Sequence, residues 1–202
     1  MSDFDYRTWW QNWYAGGGTS GPGSYGILAE FKAEIVNQFI KEHDINSVIE
    51  FGCGDGNQLS YMNYRQYLGF DVTRAALDQC MARFGDDQSK SFMFYDPNYF
   101  VNKGTLNADL VVCLDVLYHI TDENNLAKTL ADIFSCTQKY VILYTITKEV
   151  DIPVPEIKYR DLDPFLRAHH EFVVYQFIPQ RYPDQSFADF LILAHKKIWS
   201  GD

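Results

Sequence analysis

Residues 48–59, VIEFGCGDGNQL, decide the fold, because an apolar run there meets three alternating glycines. The run predicts a short buried strand over 47–51, and Gly52, Gly54 and Gly56 let the following loop approach a ligand closely with its amides pointing at it. The chain is expected to enter a helix after this loop. The G-x-G-x-G spacing differs from the G-x-G-x-x-G of a dinucleotide-binding turn, and the loop lacks the Gly-Lys-Ser/Thr of a P-loop.

Outward from the loop, the apolar residues follow helical and strand periods in turn. Helical spacing begins at Ile27, a second helix follows a Thr73 N-cap, and a third opens at Thr121. Five strands with helices among them and then a closing hairpin predict an α/β fold with a largely parallel sheet. The seven expected strands are residues 47–51, 67–71, 92–95, 109–114, 140–144, 172–178 and 190–194.

Acidic residues stand near the carboxyl ends of the first three predicted strands. Glu50, just before the first glycine, disfavours a pyrophosphate by like-charge repulsion and suits an ammonium or sulfonium group. Asp71 is placed to accept both hydroxyls of a ribose, and Asp96 follows the third strand. Each acid alone is also compatible with a helix cap or a turn. Because ligands of open α/β sheets sit beyond the carboxyl ends of the strands, the three together predict one ligand crevice.

The first 26 residues differ from the rest of the chain. Trp9, Trp10 and Trp13 precede residues 16–23, a stretch too rich in glycine to hold regular structure at low cost. This composition is compatible with a flexible N-terminal segment and equally with an aromatic lid that closes over a ligand. We therefore divide the chain into an aromatic, glycine-rich arm, 1–26, and a single domain, 27–202.

The charge and the cysteines argue against several classes of protein. Lys and Arg number 17 and Asp and Glu number 27, and the resulting formal charge of −10 disfavours nucleic acid or an anionic membrane surface as a partner. No signal peptide or membrane span is expected. The four cysteines form no CxxC pair and no disulfide framework, which favours the reducing cytoplasm. No metal-ligand set stands out, so no metal is expected, and the sequence does not give the oligomeric state.

Four runs together resemble the motif series of class I S-adenosylmethionine-dependent methyltransferases: VIEFGCGDGNQL, YLGFDVT, MFYDP and DLVVCLDVLYHI. The resemblance covers residues 27–145. It implies a Rossmann-like, seven-stranded, mostly parallel sheet with helices on both faces and a closing antiparallel hairpin. It also implies S-adenosylmethionine as the cofactor and S-adenosylhomocysteine as its product.

The resemblance assigns roles to individual residues. By it, Glu50 and the glycine loop hold the methionine part of the cofactor, Asp71 holds the ribose and Asp96 holds the adenine amino group. The residues that it places at the cofactor are Glu50, Gly52, Cys53, Gly54, Gly56, Gln58, Asp71, Val72, Asp96, Leu114, Trp13, Tyr25 and Gly26.

Residues after the fourth strand are expected to face the acceptor. Methyl transfer requires alignment and exclusion of water, and a hydroxyl acceptor benefits further from a base. His119 is the candidate base, because an imidazole titrates near neutrality, and a histidine lining the cofactor pocket is the alternative. Asp115 is expected to orient the acceptor or His119, and Tyr118 to contact the acceptor. Residues 96–99 resemble a signature of DNA amino-methyltransferases, but they follow the third strand instead of the fourth, so we assign this likeness to chance.

The arm is similar to that of small methyltransferases of bacterial capsule and lipopolysaccharide pathways, which act on sugars that are often nucleotide-linked. This resemblance implies a sugar or nucleotide sugar as the acceptor, with Tyr159 and Arg160 of an inserted segment as candidate contacts. The alternatives are a methyltransferase for an amine or carboxylate metabolite and a non-catalytic cofactor-binding protein. An NAD-dependent oxidoreductase is a weaker alternative.

Overall fold

The computed structural model describes residues 4–150 and 154–200, with the backbone alone at 199 and 200. Residues 1–3, at the start of the arm, and 201–202 lie outside the described part of the chain. Three short 3-10 turns lie at Pro22–Ser24, Gln58–Tyr61 and Leu117–His119. The helices and strands are α1 Tyr6–Ala15, α2 Gly26–Glu42, β1 Ser47–Phe51, β2 Gln66–Asp71, α3 Arg74–Phe84, β3 Lys90–Phe94, β4 Ala108–Leu114, α4 Glu123–Ser135, β5 Thr137–Ile146, α5 Asp163–Ala168, β6 Phe172–Ile178, β7 Ala188–His195 and α6 Lys197–Ser200.

The strands form one seven-stranded sheet in the order β3-β2-β1-β4-β5-β7-β6. The pairs β1–β2, β2–β3 and β4–β5 are parallel, whereas β7 runs antiparallel to both β5 and β6. This order confirms the predicted Rossmann-like sheet with a closing antiparallel hairpin. Two compact units make up the chain: residues 7–96, and residues 97–200 together with 4–6.

In the unit of residues 7–96, an aromatic core lies at the carboxyl ends of β1 and β2. The Phe51 ring packs edge-to-face on Phe70 and on Tyr95, with centroids 5.0 and 5.1 Å apart. All three rings are buried. Burying one such side chain contributes about 1.5–3 kcal/mol, so this core fixes the backbone from which the glycine loop starts.

In the unit of residues 97–200 with 4–6, β4 and β5 each contain an apolar run, 110–114 and 140–144, as strands covered on both faces do. The amphipathic helix α4 buries Leu126, Leu130 and Ile133 at helical spacing. Its N-cap is Asp122, whose side chain accepts a hydrogen bond from the Asn125 N–H at 2.7 Å. No helix in the described part of the chain combines the length and apolarity needed to cross a membrane.

Every predicted strand coincides with an observed one, and the first and sixth match at both ends. The prediction of a helix after the glycine loop is wrong, because only the short turn Gln58–Tyr61 forms there. The Asn37 side chain of α2 explains this difference. It donates to the Tyr61 carbonyl at 2.9 Å and accepts from the Asn63 N–H at 2.8 Å, and so takes backbone groups that a continuing helix would pair.

Candidate functional site

The glycine loop needs glycine for two separate reasons. Gly52, Gly54 and Gly56 have φ values of 85°, 56° and 74°, in the left-handed region that side chains disfavour. A Cβ on Gly54 would also lie 2.2 Å from the Ser20 Oγ, and one on Gly56 would lie 3.0 Å from the Cys80 Sγ. The loop is therefore in tight contact with the arm on one side and with α3 on the other.

The amides of this loop donate inside the protein, which corrects the expectation that they point at a ligand. The Gly52 and Cys53 N–H groups both donate to the Phe70 carbonyl, at 2.7 and 2.9 Å. The Gly54 N–H donates to Asp71 at 3.0 Å, and the Gly56 N–H donates to the Cys53 carbonyl at 3.2 Å. What the glycines can still offer a ligand is close approach of the backbone, so their place at the cofactor stays a prediction.

Asp71 is buried at the end of β2 and holds the loop in place. Its Oδ2 accepts the Gly54 N–H, while Oδ1 accepts the Thr73 N–H at 2.9 Å and the Thr73 hydroxyl at 2.8 Å. Burial raises the pKa of Asp71, and these hydrogen bonds oppose that rise. The carboxylate therefore has a structural role that the sequence did not show. Its ribose contact, with half-buried Val72 beside it, stays a prediction.

Glu50 is a buried carboxylate with two partners that the sequence reasoning missed. The Tyr67 hydroxyl donates to its Oε2 at 2.6 Å, and the charge of Lys32 on α2 favours its ionised form. Lys32 is 0% exposed and lies within the apolar face of its helix. A lysine on an apolar face was the sequence signal for a buried partner of Glu50. Burial nevertheless raises the pKa of Glu50 to about 7.

Gln58 presents a buried acceptor. Its Nε2 donates to the Ala29 carbonyl at 3.0 Å, which fixes the amide, and its Oε1 is buried with no hydrogen-bond partner in the described part of the chain. Leaving such an oxygen unpaired costs about 1–3 kcal/mol. A buried carboxylate at Glu50 and an unpaired oxygen at Gln58 fit a ligand that carries a positive charge and N–H donors.

Asp55 joins the arm to the loop, and sequence reasoning did not single it out. It is 3% exposed, and its Oδ2 accepts the Ser20 N–H at 2.8 Å and the Tyr25 hydroxyl at 2.7 Å. Its own N–H donates to the Ser20 Oγ at 2.9 Å. Burial and the Asp55 carboxylate raise the pKa of Tyr25 to about 12. The arm therefore packs on the loop up to Gly26, where α2 begins at a φ of 54°.

The helix α1 of the arm also reaches the far end of the same unit. The Gln11 Oε1 accepts the Arg74 N–H at 2.9 Å at the start of α3, and the Arg7 guanidinium lies 3.2 Å from the Asp96 carboxylate. This ion pair engages the group predicted to contact adenine. Trp13 is 45% exposed, with its indole N–H donating to the Thr19 carbonyl at 2.7 Å.

In the other unit, Leu114 is buried at the end of β4, and its contact with the cofactor stays a prediction. Asp115 follows it with a φ of 60°, which is strained for a residue other than glycine. The Tyr118 hydroxyl donates to Asp115 Oδ1 at 2.7 Å. Non-glycine residues held in this conformation concentrate at functional sites, which is consistent with the predicted role of Asp115.

His119 is half-buried, with its tautomer set by a carbonyl. The Glu156 carbonyl lies 2.7 Å from Nδ1. Because a carbonyl only accepts, Nδ1 carries the proton and Nε2 carries the lone pair in the neutral ring. Burial lowers the pKa of His119, so the ring is neutral at pH 7 and able to accept a proton.

Tyr144 is a further buried group of this unit that sequence reasoning missed. Its hydroxyl accepts a hydrogen bond from the Gln180 side chain and lies 3.3 Å from the Ser186 Oγ. Burial and then the charge of Asp115 raise the pKa of Tyr144 to about 12. Its position inside an apolar strand gave no sequence signal.

Of the three predicted substrate contacts, Tyr118, Tyr159 and Arg160, Arg160 has the most partners within the protein. The Arg160 side chain is 8% exposed, and its guanidinium donates to Glu123, Lys158 and Thr121. These bonds engage all three nitrogens of the guanidinium within the protein, and a contact of Arg160 with the substrate stays a prediction. Tyr159 is half-buried and stays a candidate contact. In the described part of the chain, no three His, Cys, Asp or Glu residues cluster as metal ligands.

A sheet of this order with a glycine loop after β1 defines a Rossmann-like cofactor-binding protein, and comparison with known proteins gives its family. A family model described as "Methyltransferase domain" matches residues 26–191, so the chain belongs to that family. The match implies S-adenosylmethionine as the cofactor, as predicted. A search of curated proteins found no match.

Solved structures of three methyltransferases share the fold. The magnesium protoporphyrin IX methyltransferase of Synechocystis PCC 6803, with bound S-adenosylmethionine, has a TM-score of 0.69 at 14% identity and covers 97% of this chain and 100% of its own. The N-methyltransferase NodS of Bradyrhizobium japonicum WM9, with S-adenosylhomocysteine, has a TM-score of 0.69 at 10% identity and covers 96% and 100%. The methyltransferase domain of bacterial CtHen1 has a TM-score of 0.65 at 19% identity and covers 82% and 97%. These identities show the fold alone, and the three names describe different acceptors or none.

Proposed function

We propose that this methyltransferase methylates a hydroxyl group of a sugar or nucleotide-linked sugar, in surface polysaccharide biosynthesis, with His119 as the general base. The observation that carries the proposal is the 2.7 Å hydrogen bond between His119 Nδ1 and the Glu156 carbonyl, in a ring whose pKa is lowered by burial. A neutral alcohol is a poor nucleophile, so its methylation gains from a nearby proton acceptor. Nε2 of His119 is such an acceptor.

Residues of the other unit are proposed to hold the cofactor, which when bound supplies a methyl group activated on a sulfonium. Glu50 offers a buried negative charge and Gln58 a buried, unpaired oxygen to the cationic amino-acid end. Asp71 and Asp96 are proposed for the ribose and the adenine amino group. The Asp96 carboxylate also pairs with Arg7, through Oδ1 at 3.2 Å, so an adenine contact would share this carboxylate with the arm.

A His119 base favours a hydroxyl acceptor over a carboxylate. A carboxylate acceptor is already an anion at pH 7 and needs no proton acceptor, whereas a hydroxyl does. The formal charge of −10 disfavours an RNA or DNA acceptor. The exposed ring of Trp13, stacked on Trp9 at 5.6 Å, offers an aromatic face of the kind that packs against sugar rings. A cytoplasmic location belongs to this proposal, because none of the four cysteines, all of them in the described part of the chain, forms a disulfide.

The proposal is tested by incubating the protein with S-adenosylmethionine and a panel of nucleotide sugars, free sugars, amines and carboxylates. A product heavier by one methyl group is expected from a sugar. His119→Asn is expected to lower kcat by roughly 10²–10⁴-fold with unchanged cofactor affinity by calorimetry. The matched control is His170→Asn, since the His170 side chain is 86% exposed. Unchanged turnover in His119→Asn would remove the base assignment.

An amine acceptor is the second candidate, because NodS, which shares the fold, is named an N-methyltransferase. An amine is protonated at pH 7 and must lose a proton before it attacks, so His119 would serve it as well. Its rate would keep rising with pH up to the pKa of the substrate amine. A rate that levels off above the pKa of His119 supports the hydroxyl. Cofactor binding without turnover on any acceptor would indicate a non-catalytic protein.

A further inference from the structure

A segment inserted between β5 and α5, residues 154–162, is held directly against the turn that carries His119. The Lys158 N–H donates to the Tyr118 carbonyl at 2.8 Å, and the Glu156 carbonyl accepts the Nδ1 proton of His119 at 2.7 Å. One segment therefore fixes both the backbone of the turn and the orientation of the imidazole ring.

The Arg160 guanidinium fastens this segment to the start of α4. Its Nε donates to Glu123 Oε1 at 3.0 Å, its Nη1 to the Lys158 carbonyl at 2.9 Å and its Nη2 to the Thr121 carbonyl at 2.7 Å. These acceptors lie in three different directions around a side chain that is almost fully buried. A planar guanidinium has the fixed geometry to reach all three at once, and an ammonium does not.

Glu123 completes the fastening. The Lys158 ammonium lies 2.6 Å from the same Oε1 that accepts from Arg160. The lysine hydrogen bond comes first among the effects that hold the pKa of Glu123 below its ordinary value, so the carboxylate is ionised at neutral pH. Its place in the first turn of α4 adds the favourable interaction of an anion with a helix N-terminus.

We infer that Arg160 is a positioning residue, which clamps residues 156–160 against α4 so that the Glu156 carbonyl keeps the proton of His119 on Nδ1 and the lone pair on Nε2. The inference rests on the proposed function in assigning a catalytic use to Nε2, but the clamp itself is a property of the folded chain. Without the clamp the carbonyl is no longer held at 2.7 Å, and the proton is free to occupy either ring nitrogen.

The test measures the His119 tautomer by ¹⁵N chemical shifts in protein labelled at histidine. Arg160→Ala is expected to move His119 from the Nδ1–H tautomer to a mixture of the two. Arg160→Lys, which keeps the charge next to Glu123 but loses the two carbonyl bonds, is expected to do the same to a smaller extent. The control is Arg167→Ala, whose guanidinium is 79% exposed and donates to Asp163 one turn away. That variant is expected to keep the wild-type shifts.

Turnover gives the second readout. Arg160→Ala is expected to lower kcat about ten-fold with unchanged KM for S-adenosylmethionine, a smaller loss than that of removing a general base. The inflection of its pH–rate profile is expected to move. Far-ultraviolet circular dichroism checks folding. If Arg160→Ala does not fold, the ¹⁵N shifts and turnover are measured in Glu123→Gln and Arg160→Lys instead.

Wild-type His119 shifts in a folded Arg160→Ala protein would overturn the inference. A changed tautomer together with full turnover in His119→Asn would support the clamp and contradict the proposed base. The two ideas therefore fail in distinguishable ways.

Discussion

Two turns of the molecule, one after β1 and one after β4, contain the same kind of hydrogen bond in different surroundings. In each, an aspartate accepts a hydrogen bond from a tyrosine hydroxyl at 2.7 Å: Asp55 from Tyr25 and Asp115 from Tyr118. Asp55 is buried and also accepts the Ser20 N–H, which joins the arm to the glycine loop, and the Asn57 N–H within the loop. Asp115 is half-buried and sits in a strained conformation.

The difference distinguishes a carboxylate that holds the fold from one whose predicted role lies in the reaction. Removing the first takes the acceptor away from three hydrogen-bond donors, so it costs stability. Removing a strained, partly exposed group costs little stability and acts mainly on function. The predictions below test this contrast, beginning with the largest effect.

Asp55→Ala is expected to lower the free energy of unfolding by about 3–5 kcal/mol. It removes three hydrogen bonds to a buried carboxylate, from the Ser20 N–H, the Tyr25 hydroxyl and the Asn57 N–H. Hydrogen bonds to a charged group contribute about 1.5–3 kcal/mol each, and these lie at the low end because the donors are half-buried. Urea unfolding measures the loss. Tyr25→Phe, which removes one of the three bonds, is the graded control and is expected to cost about 1.5–2 kcal/mol. A loss below that of Tyr25→Phe would show that Asp55 does not join the arm to the loop.

Stability is expected to depend on pH through Glu50. Burial raises its pKa from an ordinary 4.5 to about 7, so the folded state binds the proton more tightly than the unfolded chain does. The contribution is therefore fully present below pH 4.5 and is lost as the pH rises to about 7. Its size is on the order of 3 kcal/mol, at 1.36 kcal/mol for each pH unit. Glu50→Gln lacks this dependence, and the difference in unfolding free energy between the variant and the wild type, at pH 5 and pH 8, measures it.

Cofactor binding is expected to change the protonation state of Glu50. A cationic group beside Glu50 favours the carboxylate, so binding at pH 6 releases a proton and the affinity rises as the pH approaches 7. Calorimetry in buffers of different ionisation enthalpy counts the proton released. Equal binding enthalpies in all buffers, or release that persists in Glu50→Gln, would contradict this assignment.

Local pattern predicted much of the fold. The strand periods, the Thr73 cap and the acids near the ends of three strands are all local signals, and the structure places Glu50 in β1 and Asp71 at the end of β2. The partners of these acids were not visible, because Lys32 and Tyr67 reach Glu50 from separate elements. The bonds of Arg160 were not visible for the same reason, since its partner Glu123 lies 37 residues away.

Gly54→Ala and Gly104→Ala separate packing from backbone strain. Both glycines have positive φ, 56° and 86°, but only a Cβ on Gly54 meets a neighbour, the Ser20 Oγ at 2.2 Å. Both variants share the strain of the left-handed region. Gly54→Ala is expected to lose a further 1–3 kcal/mol, roughly the cost of overpacking a tight site. Equal losses in urea unfolding would mean that Ser20 and the arm yield without cost.

The smallest stability effect is expected from Tyr118→Phe. The Tyr118–Asp115 and Tyr25–Asp55 hydrogen bonds have the same length. Bond length alone would therefore predict equal losses of unfolding free energy for the two Tyr→Phe variants. Asp115 is half-buried, and water can replace the lost hydroxyl, so we expect a loss of less than about 1 kcal/mol in unfolding free energy. Turnover should respond in the opposite order, with kcat falling in Tyr118→Phe and unchanged kcat at saturating cofactor in Tyr25→Phe. Equal stability losses, or a fall in kcat in Tyr25→Phe alone, would remove the distinction between the two aspartates.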